Sequence, residues 1–85
     1  MNEKIEFAEG FIDTGRYEKA IGYLNEIIDA EQNIKAYQLR GYAYYCMRDM
    51  EAAIPDLNYV VEHDHSADLA NYYLSQIYSF LSDFE

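Results

Sequence analysis

The chain has few of the residues that break helices or cross-link chains. Among its 85 residues one is proline, four are glycine, and Cys46 is the only cysteine. A single cysteine excludes an intrachain disulfide, and with it the framework of a small disulfide-rich secreted domain. Few glycines, and no alternating apolar runs with paired turn residues, argue against β-hairpins. With 51% hydrophobic residues, the sequence predicts an all-α domain that folds.

Positive charge is also scarce. Six Lys and Arg stand against sixteen Asp and Glu, which gives a net charge of -10, and no Lys or Arg follows Arg48. Nucleic acids and acidic membranes are bound through clustered Lys and Arg, so we expect neither as a partner. The acidic C-terminal half could steer a basic partner or could simply keep the surface soluble, and both readings stay open.

Long apolar runs are missing as well. The first residues lack the basic start and apolar stretch of a signal peptide. No segment approaches the roughly 20 apolar residues that a membrane helix needs. Together with the single thiol, this predicts a cytoplasmic protein.

An internal repeat is the strongest signal that is present. Residues 15–21, GRYEKAI, recur 33 positions further on as residues 48–54, RDMEAAI. The match extends in the same register on both sides, where it pairs Ala8 with Gly41, Phe11 with Tyr44, Leu24 with Leu57, and Ile27 with Val60. A third, partial copy begins near Ser75 and Tyr78.

The recurring residues suit a hairpin of two closely packed helices. Two helices can cross closely only where the side chains are small, and large side chains then fill the space beside the crossing. The small residues are Ala8, Gly41 and Ser75 on the first helices and Ala20 and Ala53 on the second. The large ones are Phe11, Tyr44, Tyr78, Leu24 and Leu57.

Periodicity and capping residues predict five helices and no strand. The predicted helices cover residues 2–14, 17–30, 34–48, 50–63 and 67–82. Asn33, Asp49 and Ser66 occupy positions of N-caps, and Gly15 can take the left-handed conformation that ends a helix.

This order of small, large, glycine, aromatic and alanine positions resembles the tetratricopeptide-repeat (TPR) family. The resemblance implies a right-handed superhelix of antiparallel helix hairpins in a single domain over residues 1–85. Repeat 1 covers about residues 1–33, repeat 2 about 34–67, and a half repeat or capping helix about 68–85. There are departures, since the loop glycine of the family is Arg48 in the second copy and Ser82 in the third.

The resemblance also implies a function, namely a non-enzymatic protein-protein interaction module. First helices of such repeats line a concave groove that holds a peptide or helical segment of a partner. The corresponding positions are Ile5, Glu9, Ile12, Gln38, Tyr42, Tyr45, Tyr72 and Gln76. Tyr42 and Tyr72 could equally well pack one repeat on the next. The basic clamp with which some members hold a C-terminal carboxylate is not expected, because its positions are Ile5, Glu9, Leu39, Leu69 and Tyr73.

Two alternatives remain. In a complete third repeat, a further helix would cover the apolar side of the fifth helix, so that side could instead join two chains into a homodimer. Its residues are Leu74, Ile77, Tyr78, Leu81 and Phe84. The other alternative is a small holdase-like chaperone.

Catalytic chemistry is not indicated. No phosphate loop, nucleophile-histidine pair or metalloprotease helix is present, so we expect no enzyme activity and no cofactor. The segment Glu62-His63-Asp64-His65 carries metal-ligand side chains, but its two histidines are only two positions apart at a helix end. A turn between repeats explains it better than a metal site does, and Cys46 is best explained as an inert thiol.

Overall fold

A computed structural model of the chain describes residues 3–64 and 66–82. Over these residues it contains five helices and no strand, which confirms the predicted all-α class. The helices are α1 (Glu3–Asp13), α2 (Tyr17–Ala30), α3 (Ile34–Cys46), α4 (Met50–His63) and α5 (Asp68–Ser82). None of them is both long and apolar enough to cross a membrane.

The α1–α2 turn is closed by two backbone hydrogen bonds. The Gly15 N–H donates to the Ile12 carbonyl at 3.0 Å, and the Arg16 N–H donates to the Phe11 carbonyl at 2.7 Å. This pair of bonds is the Schellman arrangement, which needs a left-handed residue just past the helix. Gly15 supplies it with φ of 79°. The predicted role of this glycine is confirmed.

The α3–α4 turn has the same structure 33 positions later. The Arg48 N–H donates to Tyr45 at 3.0 Å, and the Asp49 N–H donates to Tyr44 at 2.9 Å. Arg48 takes the left-handed position with φ of 67°, at a cost of about 1–2 kcal/mol for a residue with a Cβ. The turn ends α3 at Cys46, two residues before the predicted boundary. The sequence repeat is thus a repeat of backbone geometry.

Two of the three predicted N-caps are confirmed. The side chains of Asn33 and Asp49 each accept a hydrogen bond from the backbone N–H three residues on, at 3.1 and 3.3 Å. The prediction for Ser66 is wrong. Its hydroxyl and its N–H both donate to Asp64 Oδ1, at 2.7 and 3.1 Å, so the side chain closes the α4–α5 turn instead of capping α5.

Close crossings hold each hairpin together. An ideal Cβ added to Gly41 would lie 2.8 Å from Leu57 Cδ2 and 2.9 Å from Leu57 Cγ, so α3 and α4 cross so closely that a side chain at position 41 would displace Leu57. In the first hairpin, Ala8, which matches Gly41, and Ala20, which matches Ala53, are both fully buried. Ser75 is exposed, because the described residues contain no sixth helix to cross it.

The helices pack in the order of the chain, with α3 at the centre. α3 contacts α1, α2, α4 and α5, whereas α2 and α4 do not contact each other. The core consists of two clusters. One joins α1, α2 and α3 through Ala8, Ile12, Ala20, Leu24, Ile27, Ala36 and Ala43. The other joins α4 and α5 through Met50, Ala53, Leu57, Val60, Ala67, Ala70, Leu74 and Ile77.

The close crossing at Gly41 makes a testable prediction. Gly41→Ala should lower the free energy of unfolding by about 1–2 kcal/mol, because the fully buried Leu57 cannot yield without disturbing the α4 core. Gly22→Ala is the matched control, since Gly22 is helical, exposed and open around its Cβ position, and this change should raise stability by up to about 1 kcal/mol. Chemical denaturation measures both. Equal effects of the two substitutions would contradict the crossing geometry.

Candidate protein-binding groove

A shallow groove runs between α3 and α5. Its cavity has a volume of about 180 Å³. Pockets for whole ligands or cofactors usually measure roughly 300–1,000 Å³, so this one suits one or two side chains of a docked segment. The groove is lined by Lys35, Gln38, Leu39 and Tyr42 from α3 and by Leu69 and Tyr73 from α5.

Tyrosine rings form one side of this groove. Tyr73 lies at the centre of the cluster, with ring centroids 5.1 Å from Tyr42, 5.0 Å from Tyr45 and 5.5 Å from Tyr72. These separations are typical of favourable aromatic pairs. Tyr73, Tyr42 and Tyr45 are half-buried, whereas Tyr72 is 57% exposed. The cluster therefore presents the exposed Tyr72 ring beside three half-buried tyrosines.

Cys46, the last residue of α3, is half-buried and affects the pKa of three tyrosines. Hydrogen bonding with Cys46, reinforced by the negative charge of its thiolate, raises the pKa of Tyr42 to about 12. The same hydrogen bonding raises the pKa of Tyr17 at the start of α2. Burial, followed by the charge of Cys46, raises the pKa of Tyr73. Tyrosines of α2, α3 and α5 thus respond to the same thiol.

A forked ion pair positions α3 relative to α2 and α4. Arg40 donates from Nε and Nη2 to the two carboxylate oxygens of Asp56, both at 2.7 Å, and from Nη1 to Asn25 Oδ1 at 2.8 Å. Asp56 is only 4% exposed. Hydrogen bonding to Asp56 raises the pKa of Arg40, so its charge is permanent. Such bidentate pairs fix geometry as well as charge.

An aromatic stack extends from this ion pair along α4. The Arg40 guanidinium lies 5.5 Å from the Tyr37 ring centroid, and Tyr37 stacks on Tyr59 at 3.8 Å. Tyr59 in turn stacks on His63 at 4.0 Å. The His63 Nδ1 lies 2.8 Å from the Tyr59 carbonyl. These contacts between α3 and α4 therefore stabilise the second hairpin in addition to the ion pair.

The N-terminal helix borders the groove through a surface ion pair. Lys35 Nζ lies 3.9 Å from a carboxylate oxygen of Glu9, and both side chains are exposed. Ile5 is half-buried against the first core cluster. Ile12 is only 8% exposed and belongs to that core. The prediction that Ile12 faces a partner is wrong, because α2 and α3 cover it.

The remaining predicted groove residues lie on or beside the cavity. Gln38 and Tyr42 line it, while Tyr45 and Tyr72 flank it through their contacts with Tyr73. Gln76 is exposed one turn beyond Tyr72. Their role in binding stays a prediction.

Four cavity-lining residues were not among the predicted groove residues. Lys35, Leu39 and Leu69 line the cavity, and Tyr73 is its central ring. Tyr73 occupies in α5 the register position that Leu39 has in α3, and this shared register was the available signal. Leu39, Leu69 and Tyr73 occupy positions of the basic clamp that the sequence argued against.

The residues proposed for self-association occupy different environments. Leu74 and Ile77 are 7% and 0% exposed, and Leu81 packs on the same cluster half-buried. The expectation that Leu74 and Ile77 lack cover is wrong, because α4 already packs on that face of α5. Tyr78 is 49% exposed, and Phe84 lies outside the described residues. Dimerisation through α5 stays a prediction.

The histidine segment at the end of α4 gives no metal centre among the described residues. Within residues 3–64 and 66–82, no group of three or more His, Cys, Asp or Glu side chains could hold a metal ion. His65 lies outside this part of the chain.

Comparison with known proteins adds nothing to this geometry. No family model, curated protein or solved structure matches the chain.

The pKa of Tyr42 gives a prediction for the groove. Because this pKa is about 12 in the folded chain and about 10 in an unfolded one, the contribution of Tyr42 to stability is complete below pH ~10 and is lost as the pH rises towards about 12. Subtracting the tyrosinate absorbance titration of Tyr42→Phe from that of the wild type isolates this group.

The same subtraction in a Cys46→Ala background is the decisive comparison. The midpoint should move down towards about 10, since both the hydrogen bond and the thiolate charge are gone. Met47→Ala, next in the chain, serves as the control and should leave the midpoint in place. An unchanged midpoint in Cys46→Ala would refute the coupling between the thiol and the phenol.

Proposed function

We propose that this chain is a non-enzymatic interaction module of the TPR type that holds a peptide or helical segment of a partner protein in the α3–α5 groove. The observation that carries the proposal is the exposed Tyr72 ring, which lies beside the Tyr73–Tyr42 pair at the edge of a cavity of side-chain size. Tyrosine buries much area on binding at a small entropic cost, and it is enriched among the residues that dominate binding energy.

The repeat geometry supports the TPR assignment. Two turns with the same hydrogen bonding stand 33 residues apart, and each joins two helices that bury small residues, Ala8 and Ala20 in the first hairpin and Gly41 and Ala53 in the second. We propose that the hairpins follow the right-handed superhelix of that family, with α1, α3 and α5 lining its inner surface. The contacts of α3 with both α1 and α5 are consistent with this arrangement.

The chemistry of the groove suits a protein segment. Tyrosine hydroxyls, the Gln38 amide and the Lys35 ammonium offer hydrogen bonds at the rim, while Leu39 and Leu69 provide apolar walls. Apolar anchors with a few polar groups around them are typical of peptide-binding grooves. A cytoplasmic location fits the single free thiol, Cys46.

Homodimerisation through α5 is the second candidate. Tyr78 favours it, because this ring is 49% exposed on the flank of α5 where a sixth helix would pack. Tyr72 and Tyr78 are about 120° apart around α5. The groove and the self-association surface therefore lie on different faces of this helix.

Site-specific photocrosslinking tests the groove. A photoreactive amino acid at Gln76, compared with one at the exposed Glu26 on α2, should capture a defined protein segment in the native cell. The captured segment is then synthesised and titrated against the purified chain. Tyr72→Ala should weaken its binding at least tenfold, the loss expected for a tyrosine anchor.

Tyr78→Ala is the matched control, since it removes the same side chain from the same helix at similar exposure. Its affinity for the segment should stay within about twofold of the wild type. If Tyr78→Ala weakens binding as much as Tyr72→Ala does, or if the segment binds Tyr72→Ala normally, the groove is not the binding site.

A further inference from the structure

A second surface, on α1 where Phe7 and Phe11 lie against Tyr23 of α2, is left open in the described chain. It contains a cavity of about 390 Å³. Phe7 is 57% exposed there, and Gly10 has no atom within 4 Å of its Cβ position. The lining residues are Glu6, Phe7, Gly10, Phe11, Thr14 and Arg16.

The chain itself shows what covers the matching surface of its other first helices. On α3, 33 positions on from Phe7 and Gly10, Arg40 bonds to Asn25 of α2 and Ala43 is fully buried. α2 therefore lies across that face of α3.

The same holds for α5, where α4 covers the next copy of this face. The matching residues, Leu74 and Ile77, are 7% and 0% exposed and share a cluster with Leu57 and Val60 of α4. An amphipathic helix thus occupies this position twice. The α1 face has the same register, but its large side chain, Phe7, remains exposed.

Charge selects among possible occupants. Glu3 and Glu6 lie at the N-terminal end of this α1 face, and the whole chain carries a net charge of -10. A second copy would bring the same negative charge against it, whereas a basic helix would be attracted. In the covering geometry of α2 on α3, the two helices run antiparallel. The last turn of the occupant would therefore lie beside Glu3 and Glu6.

We infer that the α1 face formed by Phe7, Gly10 and Thr14 docks an amphipathic helix of a partner protein that carries Lys or Arg in its last turn. The helix lies antiparallel to α1, as α2 lies on α3, and places an apolar stripe against Phe7. Basic residues in its last turn pair with Glu3 and Glu6 and also suit the helix dipole. This surface is separate from the α3–α5 groove, so the two proposals stand or fall independently.

Two synthetic helical peptides test the inference. Both carry the apolar stripe with which α4 covers α5; one has lysines in its last turn and the other has glutamates at the same positions. Each is titrated into the isotope-labelled full chain by NMR. The lysine peptide should bind at least about tenfold more tightly, and its affinity should fall with salt. Its largest shifts should lie at the amides of Phe7, Gly10 and Thr14.

Two matched variants test whether the lysine peptide binds at the α1 face. Gly10→Leu fills the open space and should weaken binding of the lysine peptide about tenfold or more. Gly22→Leu places the same side chain on another exposed helical glycine and should change the affinity by less than about twofold. Circular dichroism confirms that both variants remain folded.

Four results would overturn the inference. The first is no saturable binding of the lysine peptide, and the second is equal affinity for the two peptides. The third is self-association of the chain alone that Gly10→Leu abolishes, which would assign the face to a second copy. Shifts centred on Tyr73 instead of Gly10 would likewise place the peptide in the other groove and contradict the proposal.

Discussion

The fork of hydrogen bonds from Arg40 to Asp56 is the interaction on which the arrangement of the second hairpin depends. It joins α3 to α4, and the third bond, to Asn25, joins both to α2. Asp56 is almost completely buried, so removing its partner would leave an uncompensated charge, which typically costs about 3–5 kcal/mol. Because α5 packs on α4 and α3, the α3–α5 groove inherits its geometry from this ion pair.

In the first hairpin, a different pair of side chains joins the two helices. At the positions matching Arg40 and Asp56 it carries Phe7 and Tyr23, whose ring centroids lie 6.0 Å apart. An aromatic pair holds the hairpin without a buried charge, and apolar replacements of buried ion pairs are often neutral or stabilising. One consequence is functional. Arg40 is covered by α2, whereas Phe7 remains exposed. Phe7 is part of the α1 surface that we assign to a partner helix.

Local chemistry was predictable from the sequence, and long-range contacts were not. The bounds of α2 and α4 follow from turn residues such as Gly15 and Asp49, whose hydrogen bonds reach only a few positions. Ser66 failed as a cap because Asp64, two residues away, binds its hydroxyl. The ion pair joins residues 16 positions apart and has no counterpart in the first hairpin, so it could not be predicted from the repeat.

The burial of α5 side chains also depends on long-range contacts that could not be predicted from the sequence. Treating the third unit as a repeat that lacks its second helix correctly left Tyr78 exposed. It failed for Leu74 and Ile77, because those side chains face α4 of the preceding repeat. Gln38 and Tyr42 were found from their register, but the central role of Tyr73 depends on how closely α5 approaches α3.

Exchange of the two pairs tests the equivalence of the hairpins most directly. Unfolding free energies would be measured for Arg40→Phe, for Asp56→Tyr and for the double variant that carries the first hairpin's own pair. Arg40→Phe alone should cost about 3 kcal/mol, since Asp56 is then buried without a partner. The double variant should recover at least half of that loss. If instead its loss equals the sum of the two single losses to within about 0.5 kcal/mol, the positions are not coupled and the account of the second hairpin is wrong.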